Sequence, residues 1–329
     1  MLQERLLNII KRFADRKLLI VGDSIADKFL SGSISRVSRE APVFILRHES
    51  TETVPGGAAN CALNLAALGA NVSLFSIAGN DEAGMALRDK LSAAGVNVAG
   101  LVLSEKVQTT TKVRILAGHS NANKQQVIRV DYEDAPLNDP RLRETLNTNL
   151  RTALNAADAV IISDYNYGLV DQQAIELVRK THRARNIPVL VDSRFRLSDF
   201  SGFTAATPNQ DEVEHLIGEP LASTPQLESA ATRLKQKLQY QALLVTRGGR
   251  GMMLLDESEL PLHIPAVGAQ QAVDGTGAGD TVIAAFALAL ASGSSFAEAA
   301  HLANYAGGLV VMKRGTASVS TDELEHAIK

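Results

Sequence analysis

Residues 274–280 read Asp-Gly-Thr-Gly-Ala-Gly-Asp, and an apolar run from Thr281 to Leu290 follows with no breaker in it. Three glycines ahead of such a run predict a tight loop opening a buried helix. The unpaired N–H groups at that helix start, with the positive end of its dipole, make an anion site. Glycine also lets an anion approach the backbone closely. Asp280 has two readings. It is an N-cap or first-turn acid, or it is a base that takes a proton from a hydroxyl while nearby amides hold the charge developing on a transferred phosphoryl group. The chemistry this pairing suits is phosphoryl transfer to an alcohol.

Two further polar clusters fall at element ends. The apolar stretch 18–22 predicts a buried parallel strand and runs into Gly22-Asp23-Ser24-Ile25-Ala26-Asp27. A dinucleotide-binding turn would carry three glycines here, so the single Gly22 argues against nicotinamide chemistry. Asp23 and Asp27 stand instead at the carboxyl end of a strand, where open α/β sheets bind ligands; each has the alternative of capping a turn. Residues 55–60, Pro-Gly-Gly-Ala-Ala-Asn, open a helix ending at Gly69, with Asn60 and Asn64 one turn apart. Asn64 reads as a core amide, and Asn60, beside Gly56 and Gly57 at the helix mouth, as the ligand candidate.

The elements that must position these residues follow a regular pattern. From about residue 139, apolar runs at 159–162, 189–191 and 242–245 alternate with helical stretches near 140–156, 171–185, 211–217 and 225–238. This predicts βαβ units and a parallel sheet, with two long helices, 277–291 and 296–312, closing the fold. Residues 33–49 and 109–131 predict strands of a small accessory sheet inserted in one α/β domain over 1–329.

Composition narrows the function classes. An apolar fraction of 45% supports a large core, whereas 4% aromatics and no Trp argue against a base-stacking surface for nucleic acid. With 33 basic and 36 acidic residues, a net charge of −3 and no dense Lys/Arg block, neither a polynucleotide nor an anionic membrane is indicated. The single cysteine, Cys61, excludes an intrachain disulfide and a cysteine metal site, and fits a reducing cytoplasm. Residues 1–13 mix charge with apolar residues at helical spacing, unlike a signal peptide, and no apolar run has the length of a membrane span.

Segments 56–69, GGAANCALNLAALG, and 274–286, DGTGAGDTVIAAF, resemble the two signatures of the ribokinase-like, or phosphofructokinase-B, sugar kinases. The likeness extends through 207–212 and 243–251 and covers nearly the whole chain. Within the family, 36–43, 125–133, 163–165, 243–252 and 303–316 look like the heptose 7-phosphate kinases, the kinase part of ADP-heptose synthesis enzymes. The resemblance implies a three-layer αβα sandwich with a mostly parallel sheet and a small β-strand lid. It implies ATP-dependent phosphorylation of the anomeric hydroxyl of D-glycero-D-manno-heptose 7-phosphate, giving the 1,7-bisphosphate for lipopolysaccharide core precursors. Asp280 becomes the catalytic base and the amides of Gly277, Ala278 and Gly279 the anion hole, with Asp27, Gly56, Gly57 and Asn60 at the sugar. Asn209, Thr246, Gly248, Gly251, Thr276 and Asn304 fall on the ATP side, and Glu212 near Mg²⁺ through water. ATP, Mg²⁺ and a monovalent cation such as K⁺ are the implied cofactors. The lid strands cover the sugar and join a homodimer. The chain ends soon after the last kinase helix, which implies a form without the nucleotidyltransferase half of the bifunctional members.

The likeness breaks at two places. The subfamily carries lysine three residues after Asp164, where this chain has Tyr167, and Asp-Pro-Lys where it has Asp192-Ser193-Arg194. Asp192 keeps its place at the substrate, but a substrate phosphate needs other cations. Arg36, Arg39, Arg129, Arg194 and Arg196 are the candidates, each also readable as a solvated surface arginine. Two alternatives stay open: a related kinase for ribose, fructose or a nucleoside, and a non-catalytic sugar-binding regulatory relative, which has no use for a proton acceptor at 280.

Overall fold

The computed structural model describes residues 2–118, 124–134, 138–258, 260–268 and 272–329, so 119–123 of the second accessory stretch lie outside the described residues. Helix α1 (Leu2–Ile10) leads to β1 (Lys17–Gly22), β2 (Ser24–Val37), β3 (Phe44–Gly57), α2 (Ala58–Ala67) and β4 (Asn71–Gly79). Next come α3 (Glu82–Ala93), β5 (Asn97–Ser104), β6 (Thr111–Gly118), β7 (Gln125–Tyr132) and α4 (Pro140–Ala153). The chain continues through β8 (Ala159–Asp164), α5 (Gln172–Arg185), β9 (Val189–Ser193), β10 (Ala205–Ala206), α6 (Gln210–Ile217) and α7 (Thr224–Leu238). It closes with β11 (Ala242–Thr246), β12 (Met252–Leu255), β13 (Leu262–Ile264), α8 (Ala278–Ala291), α9 (Phe296–Val310) and α10 (Thr321–Ile328).

Nine strands form the central sheet in the order β13-β12-β11-β10-β9-β8-β1-β4-β5. All its pairs are parallel except β11–β12 and β12–β13. Its strands are apolar on both faces, and alternate residues feed two cores. Leu18, Ile20, Ile161 and Leu244 pack with α1, α2, α8 and α9. Leu19, Val21, Ile162 and Val245 pack on the other side with α4, α5 and α7. Helix α8 is buried on every side from Asp280 to Ala289, which is why its run carries no polar stripe. Truncating Phe286, fully buried in it, would cost about 3–5 kcal/mol.

The second sheet has the order β3-β2-β6-β7 and corresponds to the accessory strands. Its first two strands are longer than alternation alone predicts, and the first starts earlier. β2 begins one residue after β1, and β3 runs on into α2, because β2 pairs with β3 from Ser24↔Gly57 to Val37↔Phe44. Asp27 therefore stands inside a strand, and Gly56 and Gly57 end one. Three elements escape the sequence reading. β10 and β13 are only two and three residues long. α10 is announced by the reciprocal cap of Ser320 and Glu323.

Candidate active site

Helix α8 begins at Gly277, whose φ of +76° is left-handed. Asp280 lies in the first turn but does not cap it. Its carboxylate is 4% exposed and turns toward α2 and the end of β8. Asn60 Nδ2 donates to Oδ2 at 2.7 Å, and the Tyr165 hydroxyl donates to Oδ1 at 3.0 Å. Burial pushes this carboxyl up to about 7; the bonds from Asn60 and Tyr165 oppose that, and the nearby charge of Asp27 adds to it.

The orientation of Asn60 is set from behind. Thr281 Oγ1 donates to Asn64 Oδ1 at 2.8 Å, and Asn64 Nδ2 donates to Asn60 Oδ1 at 3.1 Å. With its oxygen so occupied, Asn60 must present N–H to Asp280. Asn64 is thus the core amide its position suggested, and the run Thr281–Asn64–Asn60–Asp280 ties α2 to α8.

A cavity of about 450 Å³ opens above Asp280. Asp27, Gly57, Arg129, Asp192, Arg194, Asn209, Glu212, Thr246 and the turn 275–279, including Thr276, Gly277, Ala278 and Gly279, all line it. Asp27 pairs with Arg114 and lies 3.4 Å from Thr316 Oγ1. A side chain at Gly56 would press into Asp27 Oδ2, so glycine there keeps the carboxylate's place clear. Asn209 and Glu212 cap α6 reciprocally. Burial holds Asp192, Asp164 and Glu212 above the ordinary carboxylate range; Glu212, Asp280 and Asp164 add to the effect at Asp192.

Arg36 and Arg39 are not brought to this cavity. They are exposed near the loop that joins β2 to β3. Nine residues of strand separate Arg36 from Asp27, about 30 Å at the usual rise. Arg196 is taken up by Asp164 at 3.2 Å and Asp199 at 3.0 Å. Asp23 takes a structural part: its carboxylate accepts the N–H groups of Tyr165 at 2.8 Å, Tyr167 at 3.2 Å and Leu169 at 3.3 Å, pinning the turn after β8.

A second cavity, about 290 Å³ and lined largely by apolar and glycine positions, holds Gly248, Gly251, Met252, Val267, Val282 and Asn304. Asn304 Nδ2 donates to the Pro265 carbonyl at 2.8 Å. The two cavities share Thr246, Gly275, Ala278 and Gly279. The glycine turn therefore stands between a polar chamber containing Asp280 and an apolar slot, a layout suited to a purine on one side and an acceptor hydroxyl on the other.

Among the cleft residues to which the sequence assigned no role are Lys112, Arg114, Asp164 and Tyr165. Lys112 and Arg114 are two apart on β6 and share a face, a period-2 signal that was present. Tyr165 follows the last residue of β8, at the strand end where ligands gather, but nothing local marks its reach to Asp280.

The description "pfkB family carbohydrate kinase" matches residues 20–323. The chain is 41% identical over 324 residues to the bifunctional protein HldE of Nitrosococcus oceani, covering 97% of this chain and 65% of that protein. It is 42% identical over 322 residues to the protein of that name from Hahella chejuensis, covering 96% and 64%. It thus spans just under two thirds of these curated relatives. Among solved structures, the Arabidopsis thaliana ribokinase complexed with ribose and ATP superposes with a TM-score of 0.74 at 21% identity, covering 95% of this chain and 99% of that one. Phosphofructokinase-2 from Escherichia coli in complex with potassium gives 0.76 at 20%, covering 95% and 98%.

Proposed function

This chain belongs to the pfkB family of carbohydrate kinases, and from that premise we propose that it transfers the γ-phosphoryl group of ATP to the anomeric hydroxyl of D-glycero-D-manno-heptose 7-phosphate. The observation that carries the reading is Asp280, a buried carboxylate fixed by Asn60 and Tyr165 at a glycine turn that both cavities share. Asp280 takes the acceptor proton, Asp27 holds sugar hydroxyls, and the Gly277–Gly279 amides receive the migrating charge; Asn60, expected from sequence at the sugar, is instead spent on Asp280 and Asn64 and aligns the base. Asn209, Thr246, Gly248, Gly251, Thr276 and Asn304 hold the nucleotide.

Magnesium enters as part of MgATP. Among the described residues no group of three potential ligands forms a metal cage, whereas Asp164, Asp192 and Glu212, raised by burial, provide carboxylates that a hydrated cation would relieve. A monovalent cation such as K⁺ completes the set, and exchanging K⁺ for a bulky organic cation should lower turnover. No described helix is long and apolar enough to cross a membrane. The strands β2, β3, β6 and β7 serve as the lid, within one kinase domain. Val37, Phe44, Val127, Ile128, Val130 and Tyr132, exposed on that sheet, support a homodimer formed through it.

ADP release measured with MgATP over a panel of sugars tests the substrate. Turnover should peak on the heptose 7-phosphate; faster turnover of unphosphorylated ribose or fructose would reject that substrate and retain the kinase.

A further inference from the structure

Asp23, in the link between β1 and β2, is 3% exposed and stands outside the cavity above Asp280. A buried carboxylate is costly unless its oxygens are satisfied. Here three backbone N–H groups, from Tyr165, Tyr167 and Leu169, converge on it. The convergence needs an irregular backbone: Asn166 has φ +66° and Gly168 φ +83°, both left-handed, and the alternate residues between and beside them turn their N–H groups to one point. The same turn carries Tyr165 to Asp280. Burial, with Asp280 and Asp192 beside it, holds the Tyr165 phenol far above its ordinary range, so it stays protonated and donates to Asp280. Its ring lies close to the start of α2, where a Cβ at Gly57 would come within 3.2 Å of Cε2. The main chain of Asp23 serves the other donor. Its carbonyl accepts the N–H of Ala58 at 3.0 Å, the first residue of α2, and Asn60 follows two residues on. Both groups that donate to Asp280 are thus tied back to one residue.

We infer that Asp23 is a positioning residue for the phosphoryl transfer: by fixing the turn 165–169 it keeps the Tyr165 hydroxyl on Asp280, and so sets the pH at which that base becomes available. The inference rests on the reading of Asp280 as the base and deepens it. Asp280 is faced by Asn60 and Cys61 from α2, Asp27 from β2, Tyr165 after β8 and Asp192 from β9. Of these, Tyr165 takes its place from the Asp23 carboxylate. Asparagine at 23 keeps the size but offers one oxygen, and its own N–H must face one of the converging donors. The turn then loosens, Tyr165 withdraws, and a bond that favours the charged base is lost, which moves the acid limb of kcat/KM upward. Removing a negative charge acts in the opposite sense, easing the ionisation of Asp280 and moving the limb down. The sign of the shift therefore separates positioning from charge acting through space.

The experiment measures kcat/KM from about pH 5 to 10 with MgATP and the sugar that the panel above turns over fastest. The full chain is compared with Tyr165→Phe, Asp23→Asn and the double variant. Asp23→Asn should move the acid limb upward by about half to one pH unit, lowering kcat/KM roughly three- to tenfold below the limb and leaving the alkaline plateau within about twofold. The double variant should move no further than Tyr165→Phe, because both changes delete the same bond. Asn166→Val gives a second route should Asp23→Asn fail to fold. Asn166 is exposed, and a β-branched side chain is unsuited to its left-handed backbone, so the turn is strained while Asp23 stays in place. It should shift the limb the same way, whereas Asn166→Gly, at ease in that conformation, should match wild type. If Tyr165→Phe moves the limb but Asp23→Asn or Asn166→Val leaves it in place, moves it down, or lowers kcat/KM equally at every pH, the positioning role is overturned and Asp280 remains the base. Additive shifts in the double variant overturn it as well. An unmoved limb in Tyr165→Phe removes the base and the inference together.

Discussion

Asn60 on α2 and Asp280 on α8, 220 residues apart in sequence, meet in a 2.7 Å hydrogen bond whose polarity is set by Asn64 and Thr281 behind it. The bond aligns the carboxylate without neutralising it. Asp280 keeps one oxygen toward Asn60 and the other toward Tyr165, both of which donate, so in its charged form it still has lone pairs to accept a proton.

Replacing that acceptor should stop the reaction and spare the nucleotide. Asp280→Asn retains shape and burial but cannot take a proton. We expect kcat to fall by about 10²–10⁴, with ATP affinity measured by calorimetry within a few-fold of wild type. Substantial remaining turnover would remove Asp280 from the role of base.

The pH profile should carry the signature of the same group. A base held up to about 7 by burial must lose its proton to act, so kcat/KM should rise as pH passes through about 7 and level off above it. Tyr165→Phe deletes a bond that favours the charged form and should move the rise upward by roughly one pH unit. A profile that stays in place would assign the limb to another group.

Stability should run the opposite way. An acid raised from 3.8 to about 7 in the folded state binds a proton there that the unfolded chain has released. The fold is therefore penalised progressively from about pH 4 to 7 and fully above it. Asp280→Asn removes the penalty, because the amide offers its oxygen to Asn60 and its N–H to the Tyr165 oxygen. The variant should be more stable than wild type by on the order of 2–4 kcal/mol at pH 8 and by no more than about 1 kcal/mol at pH 4.5, as read by denaturant unfolding. Equal stability at pH 8 would mean that water or a cation already compensates the charge.

How much of this was legible depended on distance along the chain. The glycine turn with its buried helix, and the strand–helix alternation beyond residue 139, are local patterns, and the structure follows them closely. Asn60 and Asn64 were readable because helical spacing puts them on one face. Tyr165, Lys112 and Arg114 were not, because their place depends on how far β8 extends and on the register of β6 between β2 and β7. Arg36 and Arg39 mislead for the complementary reason: their segment follows Asp27 closely in sequence, but continuous strand as far as Val37 carries it away from the cleft.

Gly277 tests whether the alignment of Asn60 matters apart from the charge of Asp280. Its φ of +76° is unfavourable for any side chain, and a Cβ there would lie 2.5 Å from Asn60 Nδ2 and 3.2 Å from Thr316 Cγ2. The left-handed backbone alone costs about 1–2 kcal/mol in Gly277→Ala. The methyl group must then push Asn60 off its bonds to Asp280 and the Gly277 carbonyl, since Asn64 holds the amide oxygen from behind. We expect kcat to drop at least about tenfold, with the acid limb of the pH profile moved upward because a bond favouring the carboxylate is lost. A variant with the expected loss in melting temperature but unchanged kcat and pH dependence would show that Asp280 works without Asn60, and that the link between α2 and α8 serves the fold alone.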